Sequence, residues 1–584
     1  MATRNERDSA APDTTWYREA RLGMFIHWGL YSQAAGMWKG HRHYGVVEYM
    51  QQNLRIPKNE YAKLAEEFNP EQFDAKAWVE VARQAGFKYI VITAKHHEGF
   101  AMYDSKADDF NIVRTTRFGR DPIKELAQAA RAAGIRLGFY YSQYLDWRDP
   151  DAAGNDWDFP VGPRDFRAYM HRKAIPQLTE LLTQYGPIGV IWFDIPGAST
   201  PDESAEWVKL VRSLQPDTLI SSRVGNGLGD FENYGDNELP PAGSRTKPWE
   251  SIFTHNHSWG FVRHDRTFKS PTELIRTVAT VASRGGNTLI NVGPEPTGKL
   301  PEVTVRAFRE MGSWVHANAE SIYGTQGGTL GPMPWGVITQ RDRRVYLHVF
   351  HPPRNRQLIV PAMAELRPSA VQLLAGGAQL PWQLRSADLW ITLPETLPDA
   401  RNTVIAVDVA CVPAEPRPAV LILSREYDSL SLDVCTAELG PGLSIKRHSG
   451  WGYFGHTNYF SSFAGMTSAR SSVAWTIRVL EPGSYWVSID YAANRSQGGR
   501  EAVIEFAGQE LFFEVLETGE SDPYRITPIY RHELGIVDIA SDGTYRLQLR
   551  PTETVRGAYR RATRPVDNDE ELFTFKMLRL SPIR

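Results

Sequence analysis

The chain has 584 residues but little of several features that would point directly to a function. Its two cysteines, Cys411 and Cys435, are too few for a disulfide framework or a cysteine-based zinc site, although one bridge between them stays open. The net charge of -3 excludes a global basic field for nucleic acid or anionic lipid. No stretch approaches the ~20 apolar residues of a membrane span. We therefore expect a soluble protein that binds neither nucleic acid nor a membrane.

The start of the chain lacks a secretory signal. Residues 1–15 are polar and charged, with no apolar core, and we expect them to be a disordered N-terminal segment. The protein is then cytoplasmic as the sequence stands, or secreted or periplasmic if a leader has been removed.

Cofactor motifs are also missing. No G-x-G-x-x-G follows a strand pattern, and neither a Walker sequence nor H-E-x-x-H is present. The adjacent His96 and His97 resemble metal ligands at first sight, but neighbouring side chains on an extended chain point to opposite sides. We therefore expect neither a cofactor nor a metal site. Two interpretations of these histidines remain: they bind substrate hydroxyls, or they are buried structural residues.

The most informative stretch runs from Ile188 to Asp194. It is a short apolar run that begins after Gly186-Pro187 and ends at a carboxylate, just before Pro196-Gly197. Such a run between turn signals is typical of a strand buried on both faces. An acid at the carboxyl end of a parallel strand is where barrel enzymes hold catalytic groups, although capping of the next helix is an alternative role.

Strand and helix patterns alternate over residues 16–324, in about seven units. This alternation predicts a parallel sheet, and its length favours a (β/α)8-like TIM barrel over an open doubly wound sheet. Several polar side chains fall at predicted strand ends, where a closed barrel would gather them: His27, His96, His97, Tyr140, Asp194 and Arg223. Residues 225–247, rich in Gly, Pro, Asn and Asp, are predicted as a long functional loop.

After Tyr323 the pattern changes to short alternating runs typical of antiparallel strands. We predict two all-β sandwich domains, at residues 325–411 and 419–584. The second contains an aromatic group that could bind carbohydrate, namely Trp451, Tyr453, Phe454, Tyr459 and Phe460. A purely structural role for this domain is the alternative.

The acidic residues suggest a reaction. A retaining glycosidase needs two carboxyl groups about 5–5.5 Å apart, one as nucleophile and one as acid/base. The nucleophile should be ionised among donors such as His and Arg, whereas the acid needs a raised pKa. Asp194 has five candidate partners in and near the long loop: Asp230, Glu232, Asp236, Glu238 and Glu250. Arg223 could hold a carboxylate in its charged form.

A set of motifs in order along the chain resembles the α-L-fucosidases of glycoside hydrolase family 29. The resemblance covers residues 14–325 densely and 326–410 loosely. Each motif is weak alone, but the set is specific: Phe25-Ile26-His27-Trp28-Gly29, Lys95-His96-His97-Glu98-Gly99-Phe100, Tyr140-Tyr141-Ser142, Trp192-Phe193-Asp194, Gly235-Asp236-Asn237-Glu238, Trp249-Glu250, Ser258-Trp259-Gly260 and Asn291-Val292-Gly293-Pro294.

The resemblance implies a metal-free retaining reaction through a covalent fucosyl-aspartate. Asp194 would be the nucleophile. Asp236 is the first choice for the acid/base, followed by Glu250 and Glu238, because the family does not hold this group at one sequence position. The implied substrate contacts are His27, Trp38, Glu48, His96, His97, Tyr140, Trp192, Arg223 and Trp259. Trp38 and Trp259 would form an aromatic wall against the C5 methyl group of fucose.

The chain departs from the family at one point. Ile195-Pro196-Gly197 follows Asp194, whereas the family usually has glycine directly after the aspartate. We expect a stiffer loop there and an altered leaving-group preference.

The resulting hypothesis is a retaining exo-α-L-fucosidase that acts on fucosylated oligosaccharides or glycoconjugates, with transfucosylation as the same second step to another acceptor. Two alternatives remain: a non-catalytic fucose-binding protein on a hydrolase fold, and a barrel glycosidase for another sugar. The sequence does not define the linkage, the aglycone or the oligomeric state, so a homo-oligomer stays open.

Overall fold

The computed structural model describes residues 11–240, 247–412, 420–451, 457–519, 528–552 and 571–584, without the side chains of 449–451 and 457–459. The chain divides into two compact units, with the main division between Gly324 and Thr325. Of the predicted N-terminal segment 1–15, residues 1–10 lie outside the described part, and Thr15 already begins the first helix. Among the described residues, no helix is long and apolar enough to cross a membrane.

The first unit contains a sheet of eight parallel strands, which confirms the predicted (β/α)8-like barrel. They are β1 Leu22–Ile26, β2 Tyr89–Lys95, β3 Arg136–Ser142, β4 Val190–Asp194, β5 Leu219–Ile220, β6 Glu232–Asp236, β7 Trp249–Phe253 and β8 Asn287–Val292. Their order in the sheet is β5-β4-β3-β2-β1-β8-β7-β6. A parallel bridge between Ser221 and Phe231 joins the two outer strands and closes the barrel.

An arginine and an aspartate reinforce this closure. Arg212 donates two hydrogen bonds to Asp230, at 2.6 and 2.5 Å, and Asp230 accepts a third from the Ile220 amide at 2.7 Å. Asp230, one of the five candidate acids, therefore holds β5 beside β6.

Side chains from alternate strand positions fill the barrel interior. Phe25, Tyr89, Tyr140, Trp192 and Leu289 belong to one buried cluster there. Large side chains in such an interior form a packed core rather than a pore. The functional groups are therefore confined to the strand ends.

Helices cover the outside of the barrel. They are α1 Thr15–Ala20, α2 Ala75–Ala85, α3 Pro122–Ala132, α4 Ile175–Gln184, α5 Pro201–Leu214, α6 Pro271–Ser283 and α7 Glu302–Ala317. Shorter helical segments lie at Leu30–Ala34, Val47–Tyr49, Met50–Asn53, Lys58–Tyr61, Leu64–Glu67, Ile112–Thr115, Phe166–Tyr169, Met170–Ala174, Ser222–Val224 and Ala319–Ser321. Thr200 and Ser270 begin α5 and α6 with capping boxes, in which the side chain of the cap and a glutamate three residues later satisfy each other's amides.

The sequence pattern did not predict two of the barrel strands. The segment Glu232–Asp236, predicted within a long loop, is β6, and Trp249–Phe253 is β7. Polar residues and a glycine hide the strand pattern of β6, and the pairing of Asn233 with Glu250 provides what local propensity does not. Conversely, β5 ends at Ile220, so Arg223 lies in the helical turn Ser222–Val224 rather than on a strand.

The second unit consists of sheets whose strands pair antiparallel, except for one parallel pair between Val420–Leu423 and Val473–Val479. Its first part contains β9 Gln326–Gly327, β10 Gly336–Arg341, β11 Arg344–Val349, β12 Gln357–Val360, β13 Pro368–Leu373, β14 Trp382–Arg385, β15 Asp388–Thr392 and β16 Thr403–Val409, with a helical turn at Ala364–Leu366. These strands form two sheets. One has five strands in the order β9-β10-β11-β16-β13, and the other has three strands in the order β12-β15-β14.

The remaining strands are β17 Val420–Leu423, β18 Leu430–Leu432, β19 Glu438–Leu439, β20 Ser444–Trp451, β21 Thr457–Ala464, β22 Val473–Val479, β23 Gly483–Ala492, β24 Glu501–Phe506, β25 Gln509–Glu514, β26 Tyr530–Ile539, β27 Gly543–Pro551 and β28 Thr574–Pro582, with a helical turn at Val434–Thr436. One sheet has the order β17-β22-β27-β24-β25 with β19 beside β22, another has the order β18-β28-β23-β26, and β20 pairs with β21.

Two buried apolar clusters correspond to two sandwich cores, and one strand contributes to both. Ile422 of β17 belongs to the first core, whereas Leu421 and Leu423 belong to the second. The domain boundaries at 411 and 419 stay predictions, since these sheets cluster as one compact unit. The aromatic group predicted to bind carbohydrate lies largely outside the described side chains.

Candidate active site

The polar ends of four strands meet at the carboxyl edge of the barrel. Asp194 is the last residue of β4 and Asp236 the last residue of β6. His27 directly follows β1, and His96 and His97 directly follow β2. Parallel register brings such positions to one rim.

Asp194 is a buried carboxylate held in its ionised form. Tyr140 Oη donates to Asp194 Oδ2 at 2.7 Å, and an Arg223 guanidinium nitrogen donates to Asp194 Oδ1 at 2.8 Å. The Gln143 side chain also accepts from the Asp194 amide at 2.9 Å, which fixes the backbone. Burial alone would raise the pKa of Asp194, but the positive charge of Arg223, with these hydrogen bonds, lowers it below its usual value.

Arg223 joins two carboxylates. Its second terminal nitrogen donates to Asp236 Oδ1 at 2.7 Å, so one guanidinium binds both Asp194 and Asp236. The guanidinium lies over the Trp192 ring, 4.8 Å from the ring centre. This planar group therefore holds both acids on the same side of the rim.

Two of the histidines have defined tautomers. His27 Nδ1 lies 2.7 Å from Asn291 Oδ1, which can only accept. His97 Nδ1 lies 2.7 Å from Ser142 Oγ, whose own hydrogen is donated to the Leu145 carbonyl. Both rings therefore donate from Nδ1 and keep a lone pair at Nε2. Burial lowers the pKa of His27 to about 3 and that of His97 to about 4, so both are neutral near pH 7.

The turn Val47–Tyr49 brings two more groups to the rim. Tyr49 Oη lies 3.1 Å from His97 Nε2, which itself lies 3.8 Å from Asp194 Oδ2. Glu48 is 1% exposed, and its Oε2 accepts from the Gly260 amide at 3.2 Å. Burial raises the pKa of Glu48 to about 7, and Asp236 adds to this shift.

The three tryptophans predicted to contact the substrate lie in different surroundings. Trp259 is 8% exposed and lies beside His27, with 5.1 Å between ring centres. Trp192 is buried beneath the rim, stacked on Tyr140 at 5.5 Å. Trp38 lies on a two-residue ladder with His41 and stacks on Tyr61 at 6.5 Å.

Glu250 lies at the other end of the barrel. It is the second residue of β7, paired with Asn287 at the start of β8, and it is 0% exposed. Four neutral donors surround it: Tyr17 Oη at 2.6 Å, Trp192 Nε1 at 2.6 Å, Asn233 Nδ2 at 2.8 Å and Tyr89 Oη at 3.0 Å. Burial raises its pKa.

Glu238, the other acid/base candidate, is 2% exposed and follows Asp236 by two residues. Between them, Asn237 adopts a left-handed conformation with φ 55, and its Oδ1 accepts from the Thr254 amide at 3.0 Å. The carboxyl end of β6 is therefore fixed to the segment that follows β7.

The residue after Asp194 is strained. Ile195 has φ 51, in the left-handed region that β-branched residues rarely adopt. Its amide donates to Asp194 Oδ1 at 3.0 Å. The departure from glycine noted in the sequence therefore falls at a position where glycine would be free of strain.

Several contributing residues were not identified as site residues from the sequence. Asn291 and Ser142 define the histidine tautomers, and Gln143 holds the Asp194 backbone. Asn291 and Ser142 belong to motifs that resemble the family, whereas Gln143 gave no signal. In the described part of the chain, no group of three or more His, Cys, Asp or Glu side chains is arranged to hold a metal ion.

The carboxyl rim of this (β/α)8-like barrel joins an ionised carboxylate, a second acid and neutral histidines, and such a scaffold and site are those of a glycoside hydrolase. The family model described as Alpha-L-fucosidase matches residues 2–320. The chain therefore belongs to the alpha-L-fucosidase family, glycoside hydrolase family 29.

Individual relatives agree with this assignment. Plasma alpha-L-fucosidase of Homo sapiens is 29% identical over 415 residues, 65% of this chain and 85% of the relative. The crystal structure of alpha-L-fucosidase from Vibrio sp. strain EJY3 is 27% identical with a TM-score of 0.77 and covers 99% of both chains, so it shares the all-β part as well. A trapped covalent intermediate of a family 29 fucosidase from Bacteroides thetaiotaomicron is 28% identical with a TM-score of 0.64, over 69% of this chain and 98% of the other.

Proposed function

We propose that the protein is a retaining exo-α-L-fucosidase that releases L-fucose through a covalent fucosyl-aspartate. The observation that supports this most is the Arg223 guanidinium shared by Asp194 and Asp236. A retaining hydrolase needs two carboxyl groups on one rim, close enough to act on opposite sides of one glycosidic bond. The covalent intermediate trapped in the Bacteroides thetaiotaomicron relative supports the same chemistry.

Asp194 is the proposed nucleophile. Its lowered pKa keeps it ionised, and Tyr140 and Arg223 orient its two oxygens. In the first step an Asp194 oxygen attacks C1 of the fucosyl group, and the bond from C1 to the leaving oxygen breaks. In the second step water, or another sugar hydroxyl in transfucosylation, attacks C1 and releases Asp194.

Asp236 is the proposed acid/base. It gives its proton to the leaving oxygen in the first step and takes one from the attacking water in the second. Arg223 then has one anionic partner in both states, because Asp194 becomes a neutral ester as Asp236 becomes charged. Glu250 fits this role poorly: it has no exposed surface, has four donors and lies at the amino end of β7. Glu238, the third choice from the sequence, therefore moves ahead of Glu250.

The neutral histidines suit the substrate. The Nε2 lone pair of His27 can accept from a ring hydroxyl without adding charge, whereas the Nε2 lone pair of His97 accepts from Tyr49 Oη at 3.1 Å. Glu48, with its raised pKa, adds a polar contact, and Trp259 adds an aromatic wall against which the C5 methyl group of fucose can pack. A contact on the scale of one methyl group favours fucose over galactose by only ~1–3 kcal/mol.

The test is hydrolysis of an aryl α-L-fucoside by the wild type, Asp194→Ala and Asp236→Ala, each with and without azide. We expect Asp194→Ala to be inactive and to form β-fucosyl azide, because azide enters the face that Asp194 occupied. Asp236→Ala should form α-fucosyl azide from the covalent intermediate. Glu238→Ala and Glu250→Ala serve as matched controls that remove a nearby buried carboxyl group.

Three outcomes would change the proposal. Formation of α-fucosyl azide by Glu238→Ala or Glu250→Ala instead of Asp236→Ala would reassign the acid/base. Binding of L-fucose by a wild type that turns over no fucoside would favour the fucose-binding alternative. Cleavage of an aryl α-galactoside faster than the fucoside would favour a hydrolase for another sugar.

A further inference from the structure

The three histidines of the site differ in what holds their Nδ1 atoms. His27 and His97 each have an accepting oxygen 2.7 Å from Nδ1. The Nδ1 atom of His96 is buried without a hydrogen-bond partner among the described residues, and Glu98 Oε2 lies 3.7 Å away. This distance is too long for a direct hydrogen bond, but a small side-chain shift closes it. Of the three Nδ1 atoms, that of His96 is therefore the one without a close partner, and Glu98 lies within reach of it.

Glu98 is enclosed and poorly supplied with donors. It is 2% exposed, and neither carboxyl oxygen has a hydrogen-bond partner of ordinary geometry among the described residues. Gly29 makes room for it, because a Cβ atom at that position would lie 2.6 Å from Glu98 Oε1. The backbone amides of Glu98 and Leu30 act on it only weakly, and a buried carboxylate with so few donors is costly, so this pocket favours the neutral acid.

We propose that Glu98 is a positioning residue for the fucosidase reaction: its protonated carboxyl group donates to His96 Nδ1, so that His96 presents an N–H group at Nε2 to a sugar hydroxyl. This inference rests on the proposed function, since it needs a sugar bound against His96. Glu98 itself does not touch the sugar in this role.

The charges around the pair agree with the placement of the proton. Burial raises the pKa of Glu98 to about 8, against smaller opposing effects of its own backbone amide, Lys95 and the Leu30 amide, and Asp146 adds to the rise. Burial also lowers the pKa of His96 well below its usual value, with His97, His27 and Lys95 contributing. Near pH 7 the shared proton is therefore on Glu98 and the imidazole is neutral. The other groups facing Glu98 are the phenols of Tyr31 and Tyr61, both with pKa values well above 10.

The result is a complementary set of contacts. His27 offers an accepting lone pair at Nε2, whereas His96 offers a donor; the Nε2 lone pair of His97 accepts from Tyr49. A sugar hydroxyl donates one hydrogen and accepts others, so a mixed set can bind adjacent hydroxyls in one orientation. The 4% exposure of His96 and its stacking on Tyr140 at 5.0 Å between ring centres keep the ring fixed beside the nucleophile.

The pH dependence follows from the raised pKa. Below about pH 8 Glu98 is protonated and His96 Nε2 carries the hydrogen. Above it, Glu98 becomes an acceptor, the hydrogen moves to His96 Nδ1, and the donor to the sugar is lost. Lys95 and Glu48 also titrate in this region, with pKa values of about 8 and about 7. Only a variant that changes Glu98 can therefore assign the effect.

The first experiment measures the affinity for L-fucose by calorimetry between pH 6 and 9.5. Binding needs no acid catalyst, so Asp236 does not enter the result. In the wild type we expect the Kd to rise about tenfold above pH 8, the size of one lost hydrogen bond. In Glu98→Gln the amide N–H can donate to His96 Nδ1 at every pH, so the alkaline rise should disappear. Glu98→Leu should bind weakly at all pH values.

The second experiment reads the tautomer directly. The imidazole 15N shifts of histidine-labelled wild type, with His96 assigned by comparison with His96→Asn, should show the hydrogen at Nε2 at pH 6.5. A hydrogen at Nδ1 at that pH, or an alkaline rise that persists in folded Glu98→Gln, overturns the proposal. The shifts of the wild type also decide it if the variants do not fold. A wild type that binds no L-fucose and cleaves no fucoside contradicts the proposed function instead, and the 15N shifts still test the tautomer.

Discussion

Two buried carboxylates lie at opposite ends of the barrel interior, and they are in opposite electrostatic situations. Asp194, 7% exposed at the carboxyl edge, is bound by a guanidinium and a phenol, and its pKa is lowered. Glu250, 0% exposed at the amino end, has four neutral donors, and its pKa is raised.

The comparison shows that burial does not decide the charge of an acid in this barrel. Both groups lose nearly all their solvent, and both accept several hydrogen bonds. The difference is the formal positive charge of Arg223, which stabilises an ionised partner far more than neutral O–H and N–H groups do. Glu250 links three barrel strands and helix α1, whereas Asp194 is available for chemistry.

The sharpest test of this comparison replaces each acid with its amide. Asp194→Asn should lower kcat for an aryl α-L-fucoside by at least about 10⁴-fold, as expected for loss of a nucleophile. Glu250→Gln should keep kcat within about tenfold of the wild type but lower the free energy of unfolding by ~1–3 kcal/mol, because the amide group faces donors. Steady-state kinetics and urea unfolding of both variants measure this. A loss of activity of about 100-fold in Glu250→Gln without loss of stability would contradict it.

The second test makes the environment of Asp194 resemble that of Glu250. Arg223→Met removes the positive charge, so the pKa of Asp194 should rise and the acid limb of kcat/KM should move to higher pH. We expect kcat/KM at its optimum to fall by about 10²–10³-fold, the loss typical of one electrostatic contact at a reacting centre.

The matched control for this change is Arg212→Met. Arg212 also binds a carboxylate through two hydrogen bonds, at 2.6 and 2.5 Å, but its partner Asp230 closes the barrel. Its loss should reduce stability and leave the acid limb in place. An unchanged acid limb in Arg223→Met would show that Arg223 does not set the ionisation of Asp194.

A third buried acid extends the comparison beyond the active site. Asp146 lies between Lys95 at 3.1 Å and Lys173 at 2.9 Å, and these charges outweigh burial and lower its pKa. Asp146→Asn should lower the free energy of unfolding by ~3–5 kcal/mol at pH 7, the usual cost of breaking a buried ion pair. Because the folded-state pKa is lowered, this contribution should decline as the pH falls below the unfolded value of ~3.9.

Urea unfolding at pH 7 and pH 3 measures this effect. The control is Asp149→Asn, whose partner Arg172 has 49% of its side chain exposed, and we expect it to lose ~1 kcal/mol or less. Equal losses for the two variants at pH 7 would contradict the difference between buried and exposed pairs.

The smallest expected effect concerns the residue after the nucleophile. Ile195→Gly relieves a left-handed strain of ~1–2 kcal/mol but gives the unfolded chain ~0.5–1 kcal/mol of added freedom. We expect a net gain of stability of about 1 kcal/mol or less. Ile195→Ala, which keeps the strain, should be the less stable of the two in thermal unfolding. The opposite order would show that the isoleucine side chain stabilises this loop through packing.

The sequence predicted the apolar strands and the polar groups at their ends, because both patterns are local. β1 to β4 each contain an apolar run, and Asp194 follows one of them directly. The location of Glu250 could not be predicted in this way. It depends on recognising β7 as a strand and on a contact with Tyr17, 233 residues away in the chain.

The histidine tautomers likewise could not be predicted from the sequence. They depend on which atom lies 2.7 Å from each Nδ1, and the partners Asn291 and Ser142 come from different strands than the histidines they hold. The strand β6 was also missed, and β5 is shorter than its apolar pattern predicted, since the pairing of both follows from closure of the sheet rather than from the pattern of apolar residues.

That closure affects how evenly the rim is restrained. β4 pairs with β3 through five residues and holds Asp194, whereas β5 has two residues and meets β6 at a single bridge. Arg223 follows β5 and Asp236 ends β6, so both lie close to this weakly paired junction between the two strands. We therefore expect backbone amides near the junction to exchange with deuterium faster than those of β2 to β4, because fewer inter-strand hydrogen bonds must open. If Asp194 and Asp236 act as proposed, the attacking atom stays fixed while the proton donor adjusts to leaving groups of different shape.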